Sequence, residues 1–366
     1  MNPEYMRTAL ALAREGVALA SPNPMVGCVI VRDGEIVGRG SHTWQGLKHA
    51  EVIALEEAGE RARGATAYVT LEPCSHAGRT GPCTDALIAA GISKVISPAS
   101  DPNPLVSGEG FRRLRASGVE VEIATEFQAE AEKLNEPFFH FMRTGKPLVT
   151  LKCALTLDGK IAAPEDNTGW ITSERARAHV QELRHAADAM ITGIGTALAD
   201  DPLLTDRSGL PRARPLLRVV LDSTLRLPLE SKLVRSADSD LLIVATSAAS
   251  GERRRALENR GAEVRIFDGP RGRVDIRDVV ALLGERRSLS VMIEAGSKVN
   301  WAALESGAVD KVFLYYAPKI LGGLQSLPMA GGIGRQRRVD AILLERTTLH
   351  PIPPDEFAVE AYVRKD

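Results

Sequence analysis

The sequence predicts an α/β protein made of two domains. Apolar stretches of strand length alternate with helical segments through both halves of the chain. A polar break containing Gly and Pro, residues 143–147, separates the two halves. The 366 residues are also enough for two cores, at roughly 150 residues per domain. We therefore predict domains at 1–145 and 146–366.

The first half begins with an amphipathic helix predicted from about Glu4 to Ala20. Asp33-Gly34 lies between two apolar runs and predicts a hairpin. The strands predicted in this half are 26–31, 35–40, 65–71 and 94–97, and the helical segments are 49–62, 83–90 and 127–142. Strands separated by helices of this length indicate a mixed or parallel sheet with helices on its faces.

The second half has the pattern of another α/β unit. Its predicted strands are 148–154, 189–192, 216–222, 240–246, 263–267, 290–294 and 309–316. No internal repeat or low-complexity tract interrupts them.

The composition is typical of a globular protein that acts on small molecules. Hydrophobic residues make up 44% and charged residues 25% of the chain. The 46 basic and 47 acidic residues nearly cancel, so nothing favours nucleic acid as a partner. No uncharged run reaches membrane-spanning length, and four cysteines are too few for a disulfide scaffold. We therefore expect a cytoplasmic protein without a membrane partner.

One histidine and two cysteines form a candidate zinc site. His49 starts a predicted helix, Cys74 follows a predicted strand, and Cys83 precedes another helix. Three such ligands leave the fourth tetrahedral position for water, as in catalytic zinc sites. A closed structural site would need a fourth ligand, for which His42 and His76 are candidates. The glutamate two residues after His49 favours the catalytic alternative, because zinc deaminases use this spacing.

That glutamate, Glu51, is the candidate proton shuttle. Zinc makes a water nucleophile available near neutral pH, but hydrolysis at an amidine-like carbon also needs a proton for the departing amine. The alternative is a solvated carboxylate in the first turn of a helix, where it favours the positive end of the dipole.

The second cysteine lies farther along the chain than in common deaminases. Their signature ends in Pro-Cys-x-x-Cys, whereas eight residues separate Cys74 from Cys83. This spacing argues against the common nucleoside and nucleic-acid deaminases.

Several motifs give the chain a resemblance to a known family over nearly its whole length. They are Pro22-Asn23-Pro24, His49-Ala50-Glu51, Thr70-Leu71-Glu72-Pro73-Cys74-Ser75-His76 and Asp101-Pro102-Asn103-Pro104. In this order they resemble the bifunctional deaminase/reductase family of bacterial riboflavin biosynthesis. The resemblance implies a cytidine-deaminase-like three-layer α/β/α domain followed by a dihydrofolate-reductase-like α/β domain.

For the first domain, the resemblance implies that three polar residues hold the pyrimidine and its ribose phosphate. These residues are Asn23, His42 and His76, and each has a turn, surface or capping role as its alternative. Gly81 stands where the family usually has a proline, which loosens the loop without affecting a zinc ligand.

Glycine patterns in the second domain give only weak support for a nucleotide site. The Gly193-Ile194-Gly195 stretch lacks the third glycine of the Rossmann fingerprint. A strand ends near Glu294 and a helix begins around Val299, so free backbone amides there could receive a pyrophosphate. Taken alone, this segment is more typical of an ordinary strand-to-helix turn.

The resemblance extends through further motifs of this domain. They are residues 151–160, Trp170-Ile171-Thr172-Ser173, Gly195-Thr196, Ala199-Asp200-Asp201-Pro202 and Leu221-Asp222-Ser223. The resemblance implies NADPH as cofactor, with contacts at Ala154, Trp170, Thr196, Asp200, Ser223, Gly296, Ser297, Lys298, Val299, Asn300, Trp301 and Ala302. It likewise implies substrate contacts at Lys152, Thr168, Arg184, Leu204, Arg207 and Glu294.

Two of these residues suit a phosphate chemically. Arg184 and Arg207 carry guanidinium groups that bind phosphate oxygens with paired hydrogen bonds, although a solvated surface position is the alternative for each. Ala295 stands where many relatives have glycine and Thr168 where serine is common, which affects individual contacts rather than the activity.

Together these observations predict two successive reactions on one small molecule. The resemblance implies zinc-dependent deamination of a pyrimidine ribosylamine phosphate, followed by NADPH reduction of its ribosyl group to ribityl. Two alternatives stay open: a deaminase of another base or nucleoside with a fused nucleotide-binding domain, and a metal-stabilised binding or scaffold protein. The sequence is compatible with a homo-oligomer.

Overall fold

The chain folds into two compact units. The computed structural model describes residues 2–76, 81–103, 107–165 and 167–365. Unit 1 contains Met1–Gly145 and Pro211–Arg214, and unit 2 contains Lys146–Leu210 and Pro215–Asp366. The short segment 211–214 groups with unit 1, where the backbone amide of Ala213 donates to the carbonyl of Ala18 at 2.9 Å. Unit 2 therefore differs from the predicted second domain by this segment.

The sheet of unit 1 combines a hairpin with parallel strands. Its strands are β1 (Gly27–Arg32), β2 (Glu35–Ser41), β3 (Thr66–Val69), β4 (Lys94–Ser97) and β5 (Glu120–Ile123). They lie in the order β2-β1-β3-β4-β5. The β1–β2 and β1–β3 pairs are antiparallel, whereas β3–β4 and β4–β5 are parallel. Asp33 and Gly34 have φ of 51° and 83°, as the predicted hairpin turn requires.

The helices of unit 1 are α1 (Pro3–Arg14), α2 (Ala50–Ala58), α3 (Cys83–Ala89), α4 (Glu109–Ala116), α5 (Gln128–Leu134) and α6 (Glu136–Thr144). Buried alanines of α2 pack with β1, β3 and α3 residues in one hydrophobic cluster. The first helix ends at Arg14, before the predicted Ala20, because turns follow it there.

Glycines bring helix α2 unusually close to strand β2. A Cβ added at Gly38 would lie 2.1 Å from the Ala54 carbonyl oxygen, and one at Gly40 would lie 2.0 Å from that of Ala50. Only glycine fits at such distances. This close packing fixes the start of α2 against the sheet.

Unit 2 is built on one large sheet with mostly parallel strands. Its strands are β6 (Leu148–Thr156), β8 (Ala189–Gly193), β9 (Leu217–Leu221), β10 (Leu241–Ala245), β11 (Glu263–Ile266), β12 (Ser290–Ile293), β13 (Lys311–Ala317), β15 (Leu344–Ile352) and β16 (Glu356–Val363). In the described residues they lie in the order β11-β10-β9-β8-β12-β6-β13-β16-β15. Pairing is parallel from β11 to β13 and antiparallel for β13–β16 and β16–β15. The short strands β7 (Lys160–Ala162) and β14 (Leu327–Pro328) pair separately.

Helices cover both faces of this sheet. They are α7 (Glu174–Ala186), α8 (Ile194–Asp200), α9 (Lys232–Arg235), α10 (Gly251–Glu258), α11 (Ile276–Glu285) and α12 (Ser297–Glu305). One hydrophobic cluster joins α11 and α12 to the sheet, and another joins α8, α9 and α10 to it. Such two-sided burial explains why the central strands are almost continuously apolar.

The predicted α/β class is therefore confirmed. Each of the predicted strands has a counterpart, and β4 (Lys94–Ser97) has the predicted bounds. The sequence pattern predicts no strand at β5, at the short strands β7 and β14, or at the last two strands, β15 and β16. Among the helices that the structure describes, none combines the length and apolar character needed to cross a membrane.

Candidate functional site

The three predicted zinc ligands converge at one place in unit 1. His49 is the N-cap residue of α2, Cys83 is the first residue of α3, and Cys74 lies in the segment after β3. Their ligand atoms all lie within 4.8 Å of one another. The Nδ1 atom of His49 is 3.1 Å from the Cys83 Sγ and 3.5 Å from the Cys74 Sγ. One zinc ion at about 2.0 to 2.3 Å from each atom fits this donor set.

The surroundings favour thiolate at Cys74. Hydrogen bonds with Cys83 and His49 hold the pKa of Cys74 well below its ordinary value, because they outweigh the opposing effect of burial. The backbone amide of Cys83 also donates to the Cys74 sulfur at 3.3 Å. Since Cys83 begins a helix, the backbone amides of the first helical turn add positive potential beside the sulfurs, which stabilises thiolate. Thiolate is the form of cysteine that binds a metal ion, so Cys74 is set up as a metal ligand.

Glu51 lies beside the ligands in the first turn of α2. The residue is only 3% exposed, so the solvated-carboxylate alternative is wrong. Burial, followed by the charge of Cys74, raises the pKa of Glu51 to about 7. A carboxyl group with such a pKa can both accept and release a proton near neutral pH.

Both ring nitrogens of His42 have hydrogen-bond partners, so His42 is not a fourth zinc ligand. Its Nδ1 lies 2.9 Å from the Lys48 carbonyl oxygen, and its Nε2 lies 2.9 Å from the Asn23 Nδ2. Because the carbonyl can only accept, Nδ1 donates and Nε2 accepts from Asn23. The ring packs edge to face on His49 at 5.1 Å between centroids. Among the described residues, the cluster suited to a metal contains three ligands.

The remaining predicted residues of unit 1 lie around the same site. His76 follows Cys74 closely and is exposed. Residues 77–80 of the loop between the cysteines, and Pro104 of the Asp101-Pro102-Asn103-Pro104 motif, lie outside the described residues.

The predicted cofactor residues of unit 2 gather at the carboxyl ends of parallel strands. Thr196 and Asp200 belong to α8 after β8, and Ser223 follows β9. Gly296 caps α12, which carries the predicted contacts Ser297, Lys298, Val299, Asn300, Trp301 and Ala302. Ala154 lies on β6, next to β12. This edge of an open α/β sheet is where ligands bind in such folds.

Buried polar atoms at this edge are left without partners. Within the described part of the chain they are the Thr192 Oγ1, Asp222 Oδ1, Ser297 Oγ and Asn300 Oδ1. Buried polar atoms normally have a hydrogen-bond partner. A polar ligand such as a nucleotide cofactor therefore fits the edge. Thr192 was not singled out from the sequence, because a threonine ending an apolar strand has no distinctive pattern.

Three predicted substrate residues form one charged cluster. The Lys152 Nζ lies 2.7 Å from the Glu294 Oε1, and the Arg184 Nη2 lies 2.9 Å from each Glu294 carboxylate oxygen. Burial alone raises the pKa of Glu294, but the charges of Lys152 and Arg184 more than offset this and lower it to about 2. Lys152 and Arg184 are both 8% exposed, so Arg184 is not the solvated surface residue of the alternative interpretation.

Other predicted residues lie in loops of unit 2. Trp170 is 67% exposed, with the Arg177 guanidinium 4.7 Å from its ring centroid. Thr168 precedes it in the same loop, and Arg207 is exposed. Leu204 is buried in a hydrophobic cluster and has φ of 53°, so only its backbone is available to a ligand.

Both halves of the chain match known protein families. Residues 1–98 match the cytidine and deoxycytidylate deaminase zinc-binding region. Residues 147–353 match the RibD C-terminal domain. Together with the His49, Cys74 and Cys83 cluster, the first match confirms the predicted zinc cofactor.

Similar proteins and structures cover nearly the whole chain. The riboflavin biosynthesis protein RibD of Escherichia coli is 41% identical and covers 96% of each chain. That of Actinobacillus pleuropneumoniae is 44% identical over 96% of this chain and 93% of its own. The RibD structure from Acinetobacter baumannii is 35% identical with a TM-score of 0.87, covering 99% of this chain and 98% of its own.

Another solved structure is similar over the same length. The diaminohydroxyphosphoribosylaminopyrimidine deaminase/5-amino-6-(5-phosphoribosylamino)uracil reductase of Thermotoga maritima is 33% identical with a TM-score of 0.80. It covers 99% of this chain and 98% of its own.

The fold and site thus define a two-domain enzyme with a zinc deaminase domain followed by a reductase domain. The chain belongs to the RibD family of bifunctional riboflavin biosynthesis enzymes. The predicted function, and the predicted hydrolase and oxidoreductase activities, are confirmed at this level.

Proposed function

We propose that residues 1–145 deaminate a diaminohydroxyphosphoribosylaminopyrimidine and that residues 146–366 reduce the product with NADPH. The reduction converts the ribosyl group to ribityl. The observation that carries the first part is the buried Glu51 carboxyl beside the converging ligands His49, Cys74 and Cys83. This arrangement supports hydrolysis of an amidine-like carbon at neutral pH.

In the deaminase site, a bound zinc ion lowers the pKa of water enough to supply a nucleophile near neutral pH. Glu51 accepts a proton from the attacking water on a carboxylate oxygen and delivers it to the ring nitrogen of the amidine. The same carboxylate then moves the remaining hydroxyl proton to the amino nitrogen. The carbon–nitrogen bond then breaks, a carbonyl replaces the amine, and ammonia leaves. The pKa of Glu51, raised to about 7 by burial, suits both transfers.

Polar neighbours of this site orient the substrate. Asn23 uses its Nδ2 to donate to His42. The Oδ1 of Asn23 then accepts a hydrogen bond from the pyrimidine. His42 is fixed by Lys48 and Asn23 and holds the position of the Asn23 amide. His76 is exposed near Cys74 and is available to the ribose phosphate.

In the reductase site, NADPH supplies the hydride and the protein aligns the reactants. The amides of Ser297 and Lys298 at the start of α12 would hold the pyrophosphate of this cofactor, and most of the other predicted cofactor residues lie at the same edge. Lys152, Arg184 and Glu294 form the wall that faces the substrate, with the backbone of Leu204 and the side chain of Arg207 from the adjoining segment. Thr168 and Trp170 contribute from their exposed loop. We assign no acid or base here.

The enzyme acts on small molecules. As further parts of the proposal, neither nucleic acid nor a membrane is a partner, and the enzyme is cytoplasmic. The near-zero net charge of −1 and the sparse cysteines support these parts. Assembly into a homo-oligomer stays a prediction.

The test of the deaminase assignment is Glu51→Gln, which keeps the shape of the side chain but cannot carry the proton. We expect ammonia release to fall by about 10²- to 10⁴-fold, with zinc content and NADPH oxidation on deaminated substrate unchanged. Glu56→Gln is the matched control, because Glu56 lies on the same helix but pairs with Lys48 at the surface. Unchanged ammonia release in Glu51→Gln would remove Glu51 from the mechanism.

A further inference from the structure

A second buried glutamate of unit 1 has an unusual set of partners. Glu72 is only 3% exposed and lies two residues before the ligand Cys74. One carboxylate oxygen accepts the backbone amides of Gly110 at 2.8 Å and Phe111 at 3.3 Å. The other accepts those of Asp101 at 3.0 Å and Gly108 at 2.9 Å. One side chain thus holds four amides from two separate segments.

The first segment held by Glu72 runs beside the segment that leads to Cys74, since the Glu72 backbone amide donates to the Ala99 carbonyl at 2.9 Å. Asp101 is half-buried, and burial raises the pKa of its carboxyl, with electrostatic interactions that extend to Glu72, His76 and Cys74. Its Oδ1 accepts the backbone amide of Asn103 at 2.8 Å. The segment 101–103 therefore has a fixed turn beside the ligand Cys74 and the exposed His76.

The second segment is the start of helix α4, which touches both cysteine-bearing parts of the site. From α4, the Arg113 Nη1 donates to the Ser75 carbonyl at 3.4 Å. Its Nη2 lies 2.6 Å from the Oδ1 of Asp85 on α3, the helix that Cys83 begins. Helix α4 is therefore held to the segment that carries Cys74 and His76 and to the outer side of α3.

Helix α4 packs so closely on the segment carrying Cys74 that no side chain fits at Gly110. A Cβ added at Gly110 would lie 2.1 Å from the carbonyl oxygen of Pro73, a distance that real Cβ atoms do not reach. The Glu72 carboxylate and the missing side chain at Gly110 thus act together in holding α4 on the Pro73–Cys74 backbone.

We propose that Glu72 is a positioning residue of the deaminase, which clamps the 101–103 segment and α4 onto the segment carrying Cys74 and His76 and thereby preorganises the substrate pocket. This inference depends on the proposed deaminase function. Glu72 does not contact the reacting atoms. Its role predicts a defect in substrate binding rather than in zinc binding or proton transfer.

The variant Glu72→Gln tests this role. A carboxamide keeps one acceptor oxygen and turns a donor toward the other pair of amides, so two of the four hydrogen bonds are lost. If the segments are then ordered in about one molecule in ten, the apparent KM rises about tenfold. The deaminase kcat, the zinc content per chain, and the reductase kinetics of the same protein should stay within about twofold of wild type.

Two further variants complete the experiment. Glu57→Gln is the matched control, because Glu57 also accepts a backbone amide, that of Arg39 at 2.7 Å, but lies at the surface of α2. Gly110→Ala disturbs the same contact from the α4 side, because its Cβ would lie 2.1 Å from the Pro73 carbonyl oxygen and 3.1 Å from the Glu72 Oε1, so it should also raise the KM. Ammonia release is measured with diaminohydroxyphosphoribosylaminopyrimidine over a range of concentrations, and zinc by elemental analysis.

A raised KM in Glu72→Gln and Gly110→Ala, with zinc retained and a normal Glu57→Gln, supports the positioning role. A role limited to folding would instead lower the active fraction, and hence kcat, at unchanged KM. A lower kcat at unchanged KM in Glu72→Gln overturns the inference. Loss of zinc in Glu72→Gln, together with an unchanged KM in Gly110→Ala, also overturns it. A wild-type protein that releases no ammonia would refute the proposed function itself, and this inference with it.

Discussion

Replacing Glu294 by Gln should destabilise unit 2 in a way that depends on pH. Glutamine resembles the protonated carboxyl, so the variant removes only the charge that Lys152 and Arg184 bind. Lowering the pKa of Glu294 from its ordinary value of 4.5 to about 2 corresponds to about 3 kcal/mol of folding free energy, at about 1.4 kcal/mol per pKa unit. Loss of one partner from a buried ion pair has a cost of this size.

The sign follows from the direction of the pKa change. Because the folded protein has the lower pKa, the stabilisation is present above about pH 4.5 and is lost as the pH falls toward about 2. The difference between wild type and Glu294→Gln should therefore be about 3 kcal/mol near pH 7 and about 2 kcal/mol near pH 3.5.

Urea unfolding followed by tryptophan fluorescence measures this difference. In a Trp44→Phe background the signal comes from Trp170 and Trp301, both of which lie in unit 2. Glu263→Gln is the control, because Glu263 pairs with Arg286 and Arg265 but is 41% exposed, and such pairs contribute at most about 1 kcal/mol. Equal differences at both pH values, or a variant as stable as wild type near pH 7, would refute the reasoning.

Three further predictions concern the two sites. Removing zinc with a chelator should abolish ammonia release but leave NADPH oxidation on deaminated substrate intact, and a parallel loss of both activities would contradict separate sites. Lys152→Met should lower the kcat/KM for NADPH oxidation at least about tenfold, since it removes a charge that contacts Glu294; steady-state rates near wild type would place the substrate elsewhere. Gly40→Ala should weaken zinc binding, because its Cβ would lie 2.0 Å from the Ala50 carbonyl and push His49 and Glu51 away; a zinc content equal to wild type after dialysis would argue against this packing.

Much of the fold could be predicted, because turn residues and apolar runs in the local sequence indicate where most strands begin and end. Asp33-Gly34 predicted the hairpin through its turn conformation, and apolar runs bounded by polar residues predicted the central strands. The strands β5, β7, β14, β15 and β16 were not predicted. The side chains of β15 are exposed along most of its length, so its sequence has neither a buried run nor a clear alternation.

The metal ligands and Glu51 could also be identified from the sequence, since their chemistry is distinctive and their spacing is local. The raised pKa of Glu51 could not be predicted, because it follows from burial, and burial depends on how α2 packs against Gly38 and Gly40 of β2. The sequence also could not show that His42 is not a zinc ligand, because this follows from its contacts with Asn23 and Lys48.

The sequence by itself determined the order of elements, the types of chemically active residue and the family resemblance, because these depend on neighbours within a few residues. The tertiary structure alone decided which distant charges meet. Lys152 and Glu294 lie 142 residues apart in sequence, and they meet because β6 and β12 pair in parallel with Leu151 opposite Ile293. Strand order and register are set by packing of the whole sheet, and no local pattern of residues encodes them.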